Sequence, residues 1–459
     1  MMADRRTFLA LAGALLTTGC ATGLSLDAPE PIVFVHGNGD SAALWETTIW
    51  RFESNGWPRD RLHAIDLPYP MARDDDAQPQ PGKSSVAENT EFLAAAVDRV
   101  LKATGARQVI VMGNSRGGYP IRNYIQNGGG AAKVSHAILS GVPNHGVWNL
   151  PGRAPGSEFA GNGPFLQALN QPKNANGDEV TGPVKWLTIR SDGNDKYAQP
   201  KGRWIGDATA DTGVSFEGPA LKGATNVVIP RIDHRETAYS PAAFEAAYRF
   251  ITGKAPATLQ IVPEEAVVLS GMVTGLGVKS TDPASGNFAN NLALPGAQLQ
   301  IFAIDATTGA RRGDAAYSKV IGDDGRWGPF AAQHDTRYEF VVAAQGYATT
   351  HVYRSPFRRS SSVVNLRPER LAEFDKPGPA LVIFTRPRGY FDADRDRMLF
   401  DRRTPPPLVV QGQGAGVSAS RTKPEEVNRP VMGEFNGEKV IGRTWPTASN
   451  EVTVLELTY

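Results

Sequence analysis

A serine with glycine two positions away on either side occupies Gly113-Asn114-Ser115-Arg116-Gly117, between an apolar run at 109–112 and a helix expected over 119–126. Strand, sharp turn and helix in that order form the context that a G-x-S-x-G nucleophile elbow requires. The turn strains the serine and projects its hydroxyl above the sheet. The glycines keep side chains away from the neighbouring strand and helix, and the helix N-terminus adds partial positive charge. A hydroxyl at its ordinary pKa is a poor nucleophile, so a base must take its proton and a carboxylate must orient that base.

Two places downstream supply these groups. Arg190-Ser191-Asp192-Gly193-Asn194-Asp195 follows an apolar strand expected over 184–189, and Asp233-His234 follows one expected over 226–230. Asp195 and Asp192 are both candidates for the acid. Asp195 is preferred because it lies deeper in the glycine-containing turn, which leaves Asp192 to cap its own backbone. Of the seven histidines, His234 is the candidate base, its side chain being the one whose ordinary pKa suits proton shuttling near neutrality. His145, in Pro143-Asn144-His145-Gly146, is its closest rival, but it precedes the acid in the chain and suits loop pinning better. An oxyanion needs backbone N–H donors. One is expected from Arg116, after the serine. The other is expected from Asn38, in the glycine-rich loop His36-Gly37-Asn38-Gly39-Asp40. That loop has neither a Walker lysine nor G-x-G-x-x-G spacing, so it is no phosphate cradle.

The elements that must position these residues alternate between strand and helix from residue 31 to 251, the pattern of a parallel sheet flanked by helices. Strands are expected over 31–36, 62–66, 109–112, 134–139, 184–189 and 226–230. Helices are expected over 42–52, 86–102, 119–126 and 240–251. With His36-Gly37 as the oxyanion loop, G-N-S-R-G as the elbow and Pro143-Asn144-His145-Gly146 as a lipase-like loop, residues 30–253 resemble an α/β hydrolase of the bacterial lipase and esterase branch. The resemblance implies a catalytic set of Ser115, Asp195 and His234, with Gly37 and His145 as substrate-loop candidates. The sequence departs from many lipases by placing Asn114, rather than His, before the serine.

From about residue 255 short alternating segments separated by turns such as Asn436-Gly437 replace the helices, which predicts all-β sandwich or barrel structure. The expected organisation is an export signal at 1–23, a catalytic domain at 24–254, an immunoglobulin-like or prealbumin-like β module at 255–366 and a second β segment at 367–459. A short helix is expected at 367–374. The architecture is similar to lipases that append a C-terminal β domain to the hydrolase core. Segments 68–83 and 144–182 are the candidates for a lid.

Arg5-Arg6 before Thr7-Phe8-Leu9 and a short apolar core resemble a twin-arginine signal. Thr17-Thr18-Gly19-Cys20 resembles a lipoprotein processing box, which would make Cys20 a lipid anchor. The expected location is periplasmic, outer-membrane-anchored or secreted. Cys20 is the one cysteine, which excludes an intrachain disulfide and a cysteine metal cage. A net charge of +1 gives no case for nucleic acid. No cofactor and no metal is called for. Asp392, Asp394 and Asp396 imitate a calcium loop, but Arg397 and Arg403 stand where glycine and glutamate are needed. The arginines at 386, 388, 395, 397, 402 and 403 alternate with aspartates and read as a solvated strand face. The leading functional expectation is an ester hydrolase acting on an ester or lipid substrate through an acyl-serine. The alternatives are a polyester depolymerase with the same residues and a non-catalytic adhesion lipoprotein.

Overall fold

The computed structural model describes residues 28–193, 195, 197–198, 202–204, 207–405 and 417–459; the expected export segment and Cys20 lie outside the described residues. Ile32–Val35 (β1), Leu62–Ile65 (β2), Val109–Asn114 (β3), Val134–Ser140 (β4), Lys185–Ser191 (β5) and Thr225–Ile229 form one six-stranded sheet. Its order is β2-β1-β3-β4-β5 and then Thr225–Ile229, with every neighbouring pair parallel. The strands read as unbroken apolar runs because both faces are covered. Val33, Val35, Val109 and Val111 pack with Leu93 and Val97 of helix α2 (Val86–Thr104) and Ile121 of α3 (Gly118–Asn127). Their alternates Ile32, Phe34, Ile110 and Met112 pack with Phe52 of α1 (Glu46–Ser54) and with Phe244 of the last core helix.

Local signals set the helix ends. Ser85 Oγ accepts from the Glu88 N–H at 3.2 Å while Glu88 accepts from the Ser85 N–H at 2.8 Å, a reciprocal cap at the start of α2. Gly105, at φ 66°, ends that helix in the left-handed conformation. After α4 (Pro164–Leu169) and α5 (Glu236–Tyr239), Ser240 caps α6 (Pro241–Thr252).

Beyond residue 265 the described chain is mostly β. Its largest sheet has seven strands, in the order Tyr317–Val320, Gln298–Ile304, Arg337–Ala343, Thr349–Arg354, Glu451–Glu456, Val382–Thr385, Ala419–Thr422. The final strand, Glu451–Glu456, lies parallel between Thr349–Arg354 and Val382–Thr385, so this sheet spans the boundary expected near Arg367. Asn436 and Gly437, at φ 47° and 93°, turn a hairpin in which Phe435 pairs Glu438. The helix expected at 367–374 is absent, and this stretch is irregular. Pro368 disfavours helical geometry at Arg367, whose guanidinium instead donates to the Asn290 carbonyl at 2.7 Å.

Helix α1 faces both units. Phe52 lies in the core under the parallel sheet, whereas Trp50 packs into the core of the β region and donates to the Ser360 carbonyl at 2.9 Å. Glu46, buried at the start of α1, accepts from Arg354 at 2.9 Å and from Ser361 at 2.8 Å. The β region is therefore fastened to the helix that follows the His36–Asp40 loop.

Candidate active site

β3 runs into a 3-10 turn over Ser115–Gly117, and Ser115 takes φ 53°, a strained conformation for a side chain with a Cβ. The tight turn brings Gly117 against the first strand. A Cβ on Gly117 would lie 2.6 Å from the carbonyl oxygens of Val35 and His36, and one on Gly113 would lie 2.6 Å from Ile121 Cδ1. Gly117→Ala is expected to lower stability by about 1–3 kcal/mol through this overpacking, read as a lower urea midpoint.

The loop after β5 carries Asp195 inward, where it is 1% exposed. The loop after Thr225–Ile229 carries His234, 2% exposed, to meet it. His234 Nδ1 lies 2.9 Å from Asp195, whose carboxylate also accepts from the Tyr197 N–H at 2.9 Å. An ionised carboxylate only accepts, so Nδ1 carries a proton, and in the neutral imidazole Nε2 is then the acceptor. Nε2 has no hydrogen-bond partner among the described residues. The Tyr197 ring meets the imidazole edge to face at 4.6 Å. The exposed Asp192 accepts instead from the Arg231 N–H at 2.9 Å, bracing the two loops against each other away from the imidazole.

Ser115 and His234 line one cavity of about 190 Å³, together with Gly37, Asn38, Asn114 and an aromatic wall of Trp148, Phe159, Tyr197 and Tyr390. Gly37 crosses so close to the elbow that a Cβ there would lie 2.9 Å from Ser115 Cβ. Asn38 is fixed by its side chain, whose Oδ1 accepts from the Ala72 N–H at 2.8 Å. The Arg116 side chain turns away from the cavity and is buried, donating to Glu158 at 2.6 and 2.8 Å, to Ser84 and to the Pro70 carbonyl at 3.0 Å. The expected lid segment 68–83 is thus tied at both ends to the residue after the serine. Burial pushes the Glu158 carboxyl above its ordinary range, and Arg116 offsets this in part.

His145 does not line the cavity; its ring bridges the Gly218 carbonyl at 2.8 Å and Glu179 at 2.7 Å. The hydrogen bond to Glu179 raises the His145 pKa. A raised folded-state pKa means stabilisation that is full below the unfolded value of about 6.5 and is lost as pH rises through the folded one. His145→Gln is accordingly expected to cost more stability at pH 6 than at pH 9, measured as the difference in Tm from wild type.

Several residues that sequence reasoning did not assign also build the site. Asn114 donates to the carbonyls of Ser140 at 3.0 Å and His234 at 3.2 Å, so the residue before the serine fastens the histidine loop. Thr237 Oγ1 donates to the same His234 carbonyl at 2.6 Å. Gly141, at φ 61°, leaves room beside them, since a Cβ there would approach His234 Nδ1 to 3.3 Å. Its position directly after β4 was the available signal.

The arginine cluster is the main correction. Arg386 and Arg388 are each 2% exposed, where a solvated strand face was expected. Arg386 reaches Asp233 at 2.9 Å, beside the candidate base, and Arg388 donates to the carbonyls of Leu457 at 3.0 Å and Thr458 at 2.9 Å. Periodicity could not reveal this, because Asp233 and Glu46, acidic partners of Arg386 and Arg388, come from the other unit. Asp396 pairs with Arg395 at 2.9 Å, and Asp392 accepts from the Asp394 N–H at 2.9 Å.

Residues 30–170 match the family model described as alpha/beta hydrolase fold, and residues 265–371 match the lipase C-terminal domain. The chain joins an α/β-hydrolase fold to a mostly β region whose first part matches a lipase C-terminal domain. Solved structures similar to this chain include the Bacillus licheniformis lipase BlEst2 in mature form, at 20% identity over 49% of this chain and 93% of that chain, with a TM-score of 0.35. The propeptide form of the same lipase is similar at 15% identity over 69% and 90%, with a TM-score of 0.37. Aspergillus fumigatus lipase B is similar at 16% identity and a TM-score of 0.35; the match covers 52% of this chain and 56% of the lipase B chain, little more than half its length.

Proposed function

We propose that this hydrolase cleaves carboxylic esters through an acyl-enzyme on Ser115. His234 Nε2 takes the Ser115 proton as Oγ attacks the ester carbonyl, and Asp195 holds the imidazole and stabilises its charged form. The backbone N–H groups of Asn38 and Arg116 receive the developing oxyanion. His234 then protonates the departing alcohol, and a water activated by the same nitrogen releases the acid from Ser115. The observation that carries the reading is the His234 Nδ1 contact to Asp195 at 2.9 Å, with Nε2 unpartnered among the described residues and with His234 and Ser115 lining one cavity. Val147, Trp148, Phe159 and Tyr197 give that cavity an apolar side suited to an acyl chain.

Stopped-flow hydrolysis of p-nitrophenyl esters of graded chain length tests it. A burst of p-nitrophenolate approaching one equivalent per chain, followed by slower turnover, is expected with the best ester. Folded protein that hydrolyses none of the series would refute the proposal. Export and attachment through Cys20 belong to the same reading, and Cys20→Ser is expected to move the protein from the membrane fraction to the soluble one.

A further inference from the structure

Asp233, next to the candidate base, is fully buried and has four donors. Its Oδ1 accepts from the N–H groups of Arg235 and Glu236, each at 2.8 Å. Its Oδ2 accepts from the Arg386 guanidinium at 2.9 Å and the Tyr390 N–H at 2.8 Å. The first two donors belong to the histidine loop. The other two come from the β region, directly after the strand Val382–Thr385. Arg386 also donates to Glu236 at 2.6 Å, to the Tyr390 carbonyl at 2.6 Å and to the Tyr459 carbonyl at 3.0 Å. Arg395 holds the second oxygen of Glu236 at 2.6 Å. Burial opposes the charge on Asp233, yet Arg386 and Arg395 more than offset it and hold the carboxyl below its usual range.

The same segment of the β region reaches the reaction cavity. Tyr390 lines it, and its ring lies under the Arg235 guanidinium at 5.0 Å. Arg235 in turn pairs with Asp40 of the oxyanion loop at 3.3 Å. A line of contacts therefore runs from the β region to the histidine loop and on to the loop facing it across the cavity.

We propose that Arg386 is a positioning residue for His234, so that the C-terminal β region completes the active site instead of serving as a separable module. The proposal rests on the catalytic reading above. Without the guanidinium, Asp233 is a buried charge short of a partner. The turn through 231–237 then repacks, and the imidazole shifts relative to Ser115. Displacement of a reacting group by about 1 Å is enough to cost up to about a hundredfold in rate.

The test compares Arg386→Met with Arg388→Met in the full-length chain, measuring kcat and KM on a p-nitrophenyl ester together with Tm. Arg388 is as buried as Arg386 but donates to the Leu457 and Thr458 carbonyls just after the C-terminal strand and does not touch the histidine loop. Arg386→Met is expected to lower kcat about tenfold to a hundredfold with little change in KM, and Arg386→Lys to recover part of that loss. Arg388→Met is expected to lower Tm and leave kcat unchanged. Asp233→Asn sets an amide donor against the same two donors, so it is expected to repeat the kcat loss, with the double variant no slower than the slower single. Folded Arg386→Met with wild-type kcat, or an equal kcat loss in Arg388→Met, overturns the proposal. If Arg386→Met does not fold, wild-type kcat in Asp233→Asn overturns it. Failure of the catalytic reading looks different, because Ser115→Ala would then be as active as wild type.

Discussion

Ser115→Ala is expected to lower kcat on p-nitrophenyl esters by 10⁴–10⁶-fold, an order-of-magnitude figure for loss of a serine nucleophile. The loss is large because covalent catalysis vanishes with the hydroxyl, while the cavity and the expected oxyanion donors remain. His234→Ala is expected to match it, and the double variant is expected to be no slower, since serine and histidine act as one unit. Asp195→Asn is expected to cost about 10⁴-fold through loss of the charge that orients the imidazole. Asp192→Asn is expected to retain wild-type kcat, because its carboxylate braces Arg231 away from the imidazole. Reversal of these last two results would make Asp192 the acid. The Tm of Ser115→Ala is expected to equal or exceed that of wild type, since alanine removes a functional hydroxyl held at φ 53° without adding bulk.

Arg116→Met is expected to cost about 3–5 kcal/mol of folding stability, the scale for removing one partner of a buried ion pair. Glu158 is 0% exposed and Arg116 1%, and the pair is bidentate at 2.6 and 2.8 Å. Without the guanidinium, the Glu158 carboxyl is left in a site that already disfavours its charge. The carbonyls of Pro70 and Ser84 each lose one of two donors at the same time. The backbone N–H of residue 116 survives the substitution, so activity of the folded fraction should fall much less than stability. Urea denaturation of Arg116→Met, Glu158→Leu and the double variant separates the terms. Each single change should be worse than the pair, because replacing both partners removes the unpaired charge. A double variant less stable than either single would contradict this account.

The core was legible because its rules are local. Runs such as Ile32–Val35 announce doubly covered strands, Ser85 with Glu88 announces a capped helix, and glycine spacing around Ser115 announces a tight turn. The chain order of serine, acid and histidine pointed to loops that the sheet order places side by side, β3 to β4 to β5 to Thr225–Ile229. What escaped were contacts with no sequence period. Arg386 and Arg388 looked like half of a solvated charge pattern, but their partners Asp233 and Glu46 lie in the other unit, more than a hundred residues away. Asn114 read as a departure from a lipase pattern, whereas in the fold it is a fastener for the histidine loop. The place of Glu451–Glu456 at the middle of a sheet was equally hidden, because a parallel neighbour carries no local turn signal.

Reaction with a fluorophosphonate, followed by mass mapping of the labelled peptide, tests the joint action of Ser115, His234 and Asp195 most directly. The account predicts one phosphonyl group per chain, located on Ser115, with labelling slowed severely in His234→Ala and absent in Ser115→Ala. Equal labelling of wild type and Ser115→Ala, or a stoichiometric adduct at another residue, would contradict it.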